Sequence, residues 1–278
     1  MVTAGLAAVV ASNPVRQRIA GILPIDPENP VHALALVLAV ILLGLQVAFL
    51  TFVDVLAADQ ASAPLGVGDL FAQELPFLII AFAGIGLGTR RNAIQSADRL
   101  GVVKPAWWQI TFALAAAGAF FAFAQGVVSL SQTLTPQVAH NIDVTTQHLF
   151  GGLNNPVGIA SIALLPAVCE EVLFRGALQP RLGLVVTALL FTSIHTQYSI
   201  SFDTLAVFLL ALGLGLIRKY TNTTTSSVCH ATYNILVSIG ISGDLLVFAI
   251  AAELALVIPT AIALWTLRRR RMRAIADP

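Results

Sequence analysis

Charge is scarce in this sequence. Of 278 residues only 10% are Asp, Glu, Lys or Arg, 57% are hydrophobic, and mean hydropathy is +0.86. An ordinary soluble domain is roughly one-quarter charged, so a water-soluble enzyme is excluded. A disordered chain, which is polar and charged, is excluded as well. Two cysteines do not make a disulfide framework, and a net charge of +1 leaves no basic footprint for nucleic acid. No soluble domain, long linker, low-complexity tract or strong internal repeat interrupts the apolar runs. The bilayer is the natural solvent for such a chain.

A membrane crossing needs about 20 mostly apolar residues. On that measure the sequence predicts an all-α, polytopic membrane protein, a bundle of about eight transmembrane helices near 32–53, 70–89, 107–130, 156–179, 182–198, 202–218, 224–242 and 244–267. Residues 1–30 read as an N-terminal cytosolic or interfacial arm. Its first 11 residues are apolar but too short to span, Pro14, Pro24, Pro27 and Pro30 break up the rest, and no basic residue precedes the apolar stretch as it would in a signal peptide. Residues 31–268 form a single eight-helix transmembrane domain with its polar core at about 155–240, and 269–278 is a basic cytoplasmic tail.

The basic residues orient this map. With eight spans both termini share one side. Arg16 and Arg18, then Arg90, Arg91, Arg99 and Lys104, then Arg175 and Arg181, then Arg218 and Lys219, and finally Arg268, Arg269, Arg270, Arg271 and Arg273 all fall on that side. The opposite loops carry Asp54, Asp59, Asp69, Asp143, Asp203 and Asp244. Basic bias in short loops marks the cytoplasm, which gives an N-in, C-in protein with Trp107, Trp108, Tyr220 and Trp265 near the interfaces. The terminal arginine cluster reads as an orientation signal and a contact for anionic lipid. The longest outer loop, about 131–155, holds His140 and His148 and reads as a lid or a short surface helix with solvated histidines.

Ionisable groups inside a span cost on the order of 3 kcal/mol each and are functional candidates by default. The densest set is Cys169-Glu170-Glu171-Val172-Leu173-Phe174-Arg175. Glu171 and Arg175 are four apart and share a helix face, so they can pair. Glu170 is rotated about 100° away and escapes that pair, which leaves it free for chemistry. His195 lies in the next span, and His230 and Asn234, again four apart, in the seventh. Counting about 1.5 Å per residue from the cytoplasmic ends puts Glu170, His230 and His195 at depths of roughly 13, 10 and 18 Å, close enough to share one cavity. A carboxylate, two imidazoles and an amide in apolar surroundings make an inventory for hydrolysis. The glutamate takes a proton from water, and Asn234 and a histidine donate to the developing oxyanion. Two histidines and a glutamate (His195, His230, Glu170) are alternatively ligands for Zn²⁺, although the H-E-x-x-H spacing is absent.

Glu170-Glu171-x-x-x-Arg175, Phe191-x-x-x-His195 and His230-x-x-x-Asn234, in that order and each in a span, resemble the CPBP family of intramembrane proteases, which includes the type II CAAX prenyl endopeptidases and bacterial Abi-type proteins. Phe208 with Gly213 and Gly215 is similar to a weaker family feature. The resemblance covers about 155–240, making this the protease core. It implies an eight-helix fold with the site opening toward the cytosol. By carry-over, Glu170 activates water, His195 assists, His230 and Asn234 stabilise the oxyanion, and Glu171 and Arg175 brace the site, with Arg175 a candidate for substrate binding. The metal-free, glutamate-type reading is favoured, with Zn²⁺ as the alternative. The partners implied are a membrane-associated or lipidated protein or peptide substrate and the bilayer, not nucleic acid. The Ala-, Val- and Arg-rich composition points to a bacterial inner membrane, where a prenylated substrate is doubtful.

Two other readings compete. Cys169 and Cys229 adjoin motif residues, which raises a cysteine–histidine nucleophile, yet neighbours on a helix point apart and a buried cysteine is usually a packing residue. Glu74 and Glu253 also lie within spans, and intramembrane acids mark ion pathways, which gives a transporter or channel. Against it, no interrupted helices repeat between the halves. A catalytically idle scaffold or immunity protein on the same fold is the third class.

Overall fold

Asparagine and serine set where the helices begin. Asn29 Oδ1 accepts from Val31 N, Asn92 Oδ1 from Gln95 N, Asn155 Oδ1 from Gly158 N, Asn222 Oδ1 from Thr225 N, and Ser201 Oγ from Asp203 N. Each satisfies a first-turn N–H that has no partner within its helix. Proline follows the cap at Pro30 and Pro156, where its fixed φ suits the first turn. The computed structural model describes residues 1–241 and 244–276. The side chains of Asp244 and of the arginines at 268–271 and 273 lie outside the described residues, as do residues 277 and 278 of the basic tail.

In chain order the helices are α1 (Val2–Ala11), α2 (Asn13–Ala20), α3 (Pro30–Phe52), α4 (Val55–Gln60), α5 (Val67–Ile85), α6 (Ala93–Leu100), α7 (Trp107–Leu134), α8 (Pro136–Phe150), α9 (Pro156–Glu170), α10 (Gln179–Ser193), α11 (Phe202–Tyr220), α12 (Thr223–Ile239) and α13 (Asp244–Ala276). Between α9 and α10 the chain runs on as a π-helix, Glu171–Leu178. Among the described residues the only strand-like pairing is an isolated bridge between Leu87 and Arg91.

Five helical stretches are long and apolar enough to cross a membrane: Pro30–Phe52, Val67–Ile85, Trp107–Leu134, Pro156–Ser193 and Ala249–Thr266. This is the make-up of a multi-pass membrane protein. Every expected span falls on a helix, but three do not qualify alone. The span expected at 182–198 continues the helix before it and ends at Ser193. α11 carries Asp203, Arg218 and Lys219, and α12 has 17 residues and opens on a Thr/Ser run. A non-helical residue, Gly183 at φ 76°, marks the bend between the fourth and fifth expected spans.

The N-terminal segment packs against the bundle. α1 packs along α3, and Thr3 sits so close to Gly44 that a Cβ there would lie 2.4 Å from Thr3 Cγ2. Ile19, Ala20 and Leu23 pack on the main core, which joins α3, α5, α10 and the π-helix through Leu36, Ala81, Phe174 and Leu190. The 131–155 loop is mostly helix: α8 packs against α4, and His148 Nε2 is 2.8 Å from the Ser62 carbonyl.

One end of the bundle is sealed. Leu100, fully buried, closes against the π-helix, where a Cβ on Gly176 would sit 2.8 Å from the Leu100 carbonyl oxygen. Thr223 donates from Oγ1 to Leu100 O (2.5 Å) and from N to Gly101 O (2.9 Å), and Arg99 Nη1 donates to Gly176 O (3.2 Å). The basic residues gather here. Burial, together with the guanidinium groups of Arg181, Arg91 and Arg218 around it, lowers the pKa of Arg99.

Candidate active site

The glutamate pair stands at the change from α- to π-helix. Glu170 is the last residue of α9, and Glu171 opens the π-helix, whose first six residues, Glu171–Gly176, are all buried. π-helical geometry is rare and concentrates at functional positions. The two carboxylates diverge, as their rotation on the helix requires. Glu171 turns into protein: Oε2 accepts from Ser226 Oγ at 2.5 Å and lies 3.5 Å from Arg175 Nε, while Oε1 is 3.3 Å from His230 Nδ1. Glu170 turns instead to a cavity of about 800 Å³. Its Oε2 is 4.0 Å from His230 Nε2 and has no hydrogen-bond partner among the described residues.

His230 on α12 therefore bridges the two acids. Its Nδ1 donates to the Glu171 carboxylate, which leaves Nε2 facing Glu170, the arrangement in which a buried carboxylate fixes a histidine's tautomer and direction. Asn234, one turn further on, lines the same cavity, and one of its amide hydrogens is donated to Ile162 O on α9 at 3.3 Å. The other hydrogen is free to reach a ligand.

His195 follows the C-terminus of α10. Its Nδ1 donates to Phe191 O at 2.9 Å, so in the neutral ring Nε2 is an acceptor. The ring lies against Phe191 with centroids 4.6 Å apart, and His230 meets the edge region of the same phenyl at 6.0 Å. Phe191 thus touches both histidines, and both line the cavity. The Arg175 guanidinium stands 4.5 Å from the Phe191 centroid. Such a cation–π contact, with the Glu171 carboxylate, is what offsets the burial of this charge. Arg175 is fully buried and is not among the residues that line the cavity.

Three further residues adjoin this cluster. Ser226 lies four residues before His230, on the same helix face, and that spacing was the available signal. Phe191 was a motif position without a role. Glu74, on α5, was read only as an ion-pathway candidate, yet it lines the same cavity as Glu170 and its Oε2 has no partner among the described residues. Glu253 does not extend that line. Its carboxyl lies against α7, where a Cβ on Gly118 would meet it at 2.1 Å. Cys169 and Cys229 are buried and neither lines the cavity. Gly213 and Gly215 admit the Phe120 ring and the Gln179 and Leu184 side chains, which lets α11 approach its neighbours closely.

Among the described residues no three His, Cys, Asp or Glu side chains are grouped to hold a metal ion, so Glu170, His195 and His230 do not form the zinc site considered as the alternative. The cavity extends from Glu170 along α9 past Asn154, Ser62, Thr146 and Gln197.

Residues 152–236, which hold every one of these motif residues, match the family model described as Type II CAAX prenyl endopeptidase Rce1-like. No curated protein and no solved structure matches the chain.

Proposed function

We propose that this chain, whose residues 152–236 match the family model described as Type II CAAX prenyl endopeptidase Rce1-like, is an intramembrane endopeptidase of the glutamate type. It crosses the membrane eight times with both termini in the cytoplasm, and cleaves a peptide bond of a membrane-associated or lipidated protein or peptide. The observation that carries the reading is the division of labour between adjacent acids: Glu171 is held by Ser226, Arg175 and His230, while Glu170 faces the cavity unpartnered.

Glu170, with His195 Nε2 as the second acceptor, takes a proton from a water in the cavity. The hydroxide attacks the peptide carbonyl. The proton held by Glu170 passes to the leaving amine, directly or through His230 Nε2, 4.0 Å away. The free amide hydrogen of Asn234, and His230 once it carries a second proton, donate to the oxyanion. Glu171 keeps His230 in position throughout, in the way a buried acid orients a catalytic histidine.

The test is peptide cleavage by the purified protein in detergent, comparing wild type with Glu170→Ala and His230→Ala, with and without a chelator. The proposal expects cleavage that survives the chelator and that both substitutions abolish. Cleavage lost to the chelator and restored by Zn²⁺ refutes the glutamate mechanism. Cleavage unchanged in both variants refutes the site.

A further inference from the structure

Where α6, α10 and α11 converge on the π-helix, four guanidinium groups are gathered with no acid among them. Arg99 comes from α6, Arg181 from the first turn of α10, Arg218 from the last turn of α11, and Arg91 from the segment before α6. The charges that bear on Arg99 are those of Arg181, Arg91 and Arg218, all of its own sign. Arg218 also lies against the turn at Gly101, where a Cβ would sit 2.8 Å from its Nη2. Asp26 neighbours His32 together with Arg181 and Arg99, and Asp98 adjoins Arg99 in the chain. Among the described residues neither acid forms an ion pair with any of the four arginines.

Most of the hydrogen-bonding capacity of this group is unspent. Arg91 Nη1 donates to Ile85 O, and Arg99 Nη1 to Gly176 O at 3.2 Å. Among the described residues Arg181 and Arg218 donate no hydrogen bond, and Arg218 Nε is enclosed without an acceptor. A guanidinium carries five N–H donors and no acceptor, so it needs oxygen atoms around it. Basic residues that serve only to orient a membrane protein can keep their charges in loop water. All four here are partly buried instead, and like charges held together away from water add repulsion to the cost of burial. An anion relieves both. A phosphate group suits the geometry, because its oxygens accept parallel pairs of N–H bonds from guanidinium forks.

We infer that Arg99, Arg181 and Arg218 form a binding site for a phosphate group, carried by an anionic lipid or by a soluble phosphate compound. Arg181 and Arg218 supply the uncommitted forks, and Arg99 adds a donor while its Nη1 stays on Gly176 O. The bound phosphate ties α6, α10 and α11 together at the end of the π-helix that begins at Glu171. The site is separate from the chamber beside Glu170, which no arginine lines among the described residues. It therefore stands whether or not the chamber cleaves peptides.

Thermal denaturation of the full chain in detergent tests it. Inorganic phosphate is titrated against chloride at matched ionic strength, and phosphatidylglycerol is added to the micelles against phosphatidylcholine. Wild type should gain a few degrees in Tm as the ligand exceeds its Kd, because a ligand bound only by the folded state stabilises that state. Phosphate also stabilises proteins by exclusion from their surface, so the difference between wild type and variant is the quantity read. Arg181→Gln combined with Arg218→Gln should lose the gain. Lys104→Gln, at an exposed basic residue after α6, should keep it. If the double glutamine variant does not fold, Arg181→Lys combined with Arg218→Lys keeps the charge, removes the forks, and should bind about tenfold more weakly. A gain from phosphatidylglycerol alone assigns the site to a lipid headgroup, and a gain from inorganic phosphate to a soluble ligand; either upholds it. No gain in wild type from either source, a gain undiminished in the arginine variants, or an equal loss in Lys104→Gln overturns it.

Discussion

Replacing each of the adjacent glutamates by glutamine separates chemistry from structure. The two side chains have the same volume in either variant, so the difference lies in what each carboxylate holds. Glu171 is fully buried, accepts from Ser226 Oγ at 2.5 Å and His230 Nδ1 at 3.3 Å, and faces Arg175 Nε at 3.5 Å. Glu171→Gln leaves the Arg175 charge buried without a counter-charge, a change worth about 3–5 kcal/mol, or on the order of 10 °C in Tm for a chain of this size. Glu170 Oε2 has no hydrogen-bond partner among the described residues, so Glu170→Gln loses no such anchor and should leave Tm nearly unchanged. Its cost falls on turnover instead, about 10²- to 10⁴-fold for loss of a general base. The assay pairs thermal denaturation in detergent with peptide cleavage on the same preparations. The reasoning is refuted if Glu170→Gln lowers Tm as much as Glu171→Gln, or if it cleaves at the wild-type rate.

Ser226→Ala removes a buried donor to the Glu171 carboxylate, and denaturation in detergent should show a loss of about 1–3 kcal/mol. Gly176→Ala places a Cβ 2.8 Å from the Leu100 carbonyl oxygen and should destabilise the seal by about 1–3 kcal/mol, read as a lower Tm. The double variant Cys169→Ser, Cys229→Ser should keep most of its cleavage activity, because neither thiol lines the cavity. Complete loss in a folded preparation would bring a thiol into the mechanism.

The helices were legible because apolar runs and capping residues are local. Asn29, Asn92, Asn155 and Asn222 begin helices wherever they precede one. The separation of Glu170 from Glu171 was legible for the same reason, since helix rotation alone sets neighbouring side chains about 100° apart. What was not legible depends on contacts distant in sequence. Glu74 joins Glu170 only because α5 packs on α9, and nothing near Glu74 in the sequence marks that. The π-helix at Glu171–Leu178 has no composition of its own. The depth estimate placed Glu170 and His230 nearer the basic end, and they do stand nearer that end along their helices. Depth did not reveal that α6 closes this end, because the seal is made by Leu100, Gly101, Gly176 and Thr223 from three separate segments.

On the proposed mechanism, the size of the cavity has a consequence for the reaction. A volume of about 800 Å³ is within the range that encloses a small ligand almost completely, so a seated peptide displaces most of the chamber's water. On that mechanism the reacting water sits beside Glu170, His195 and His230, with apolar walls such as Leu70, Phe77 and Ile162 on other sides of the cavity. The proposed mechanism therefore asks only a few polar side chains of this hydrophobic chain to position the nucleophile, and expulsion of bulk water would strengthen each electrostatic interaction they make with the developing oxyanion.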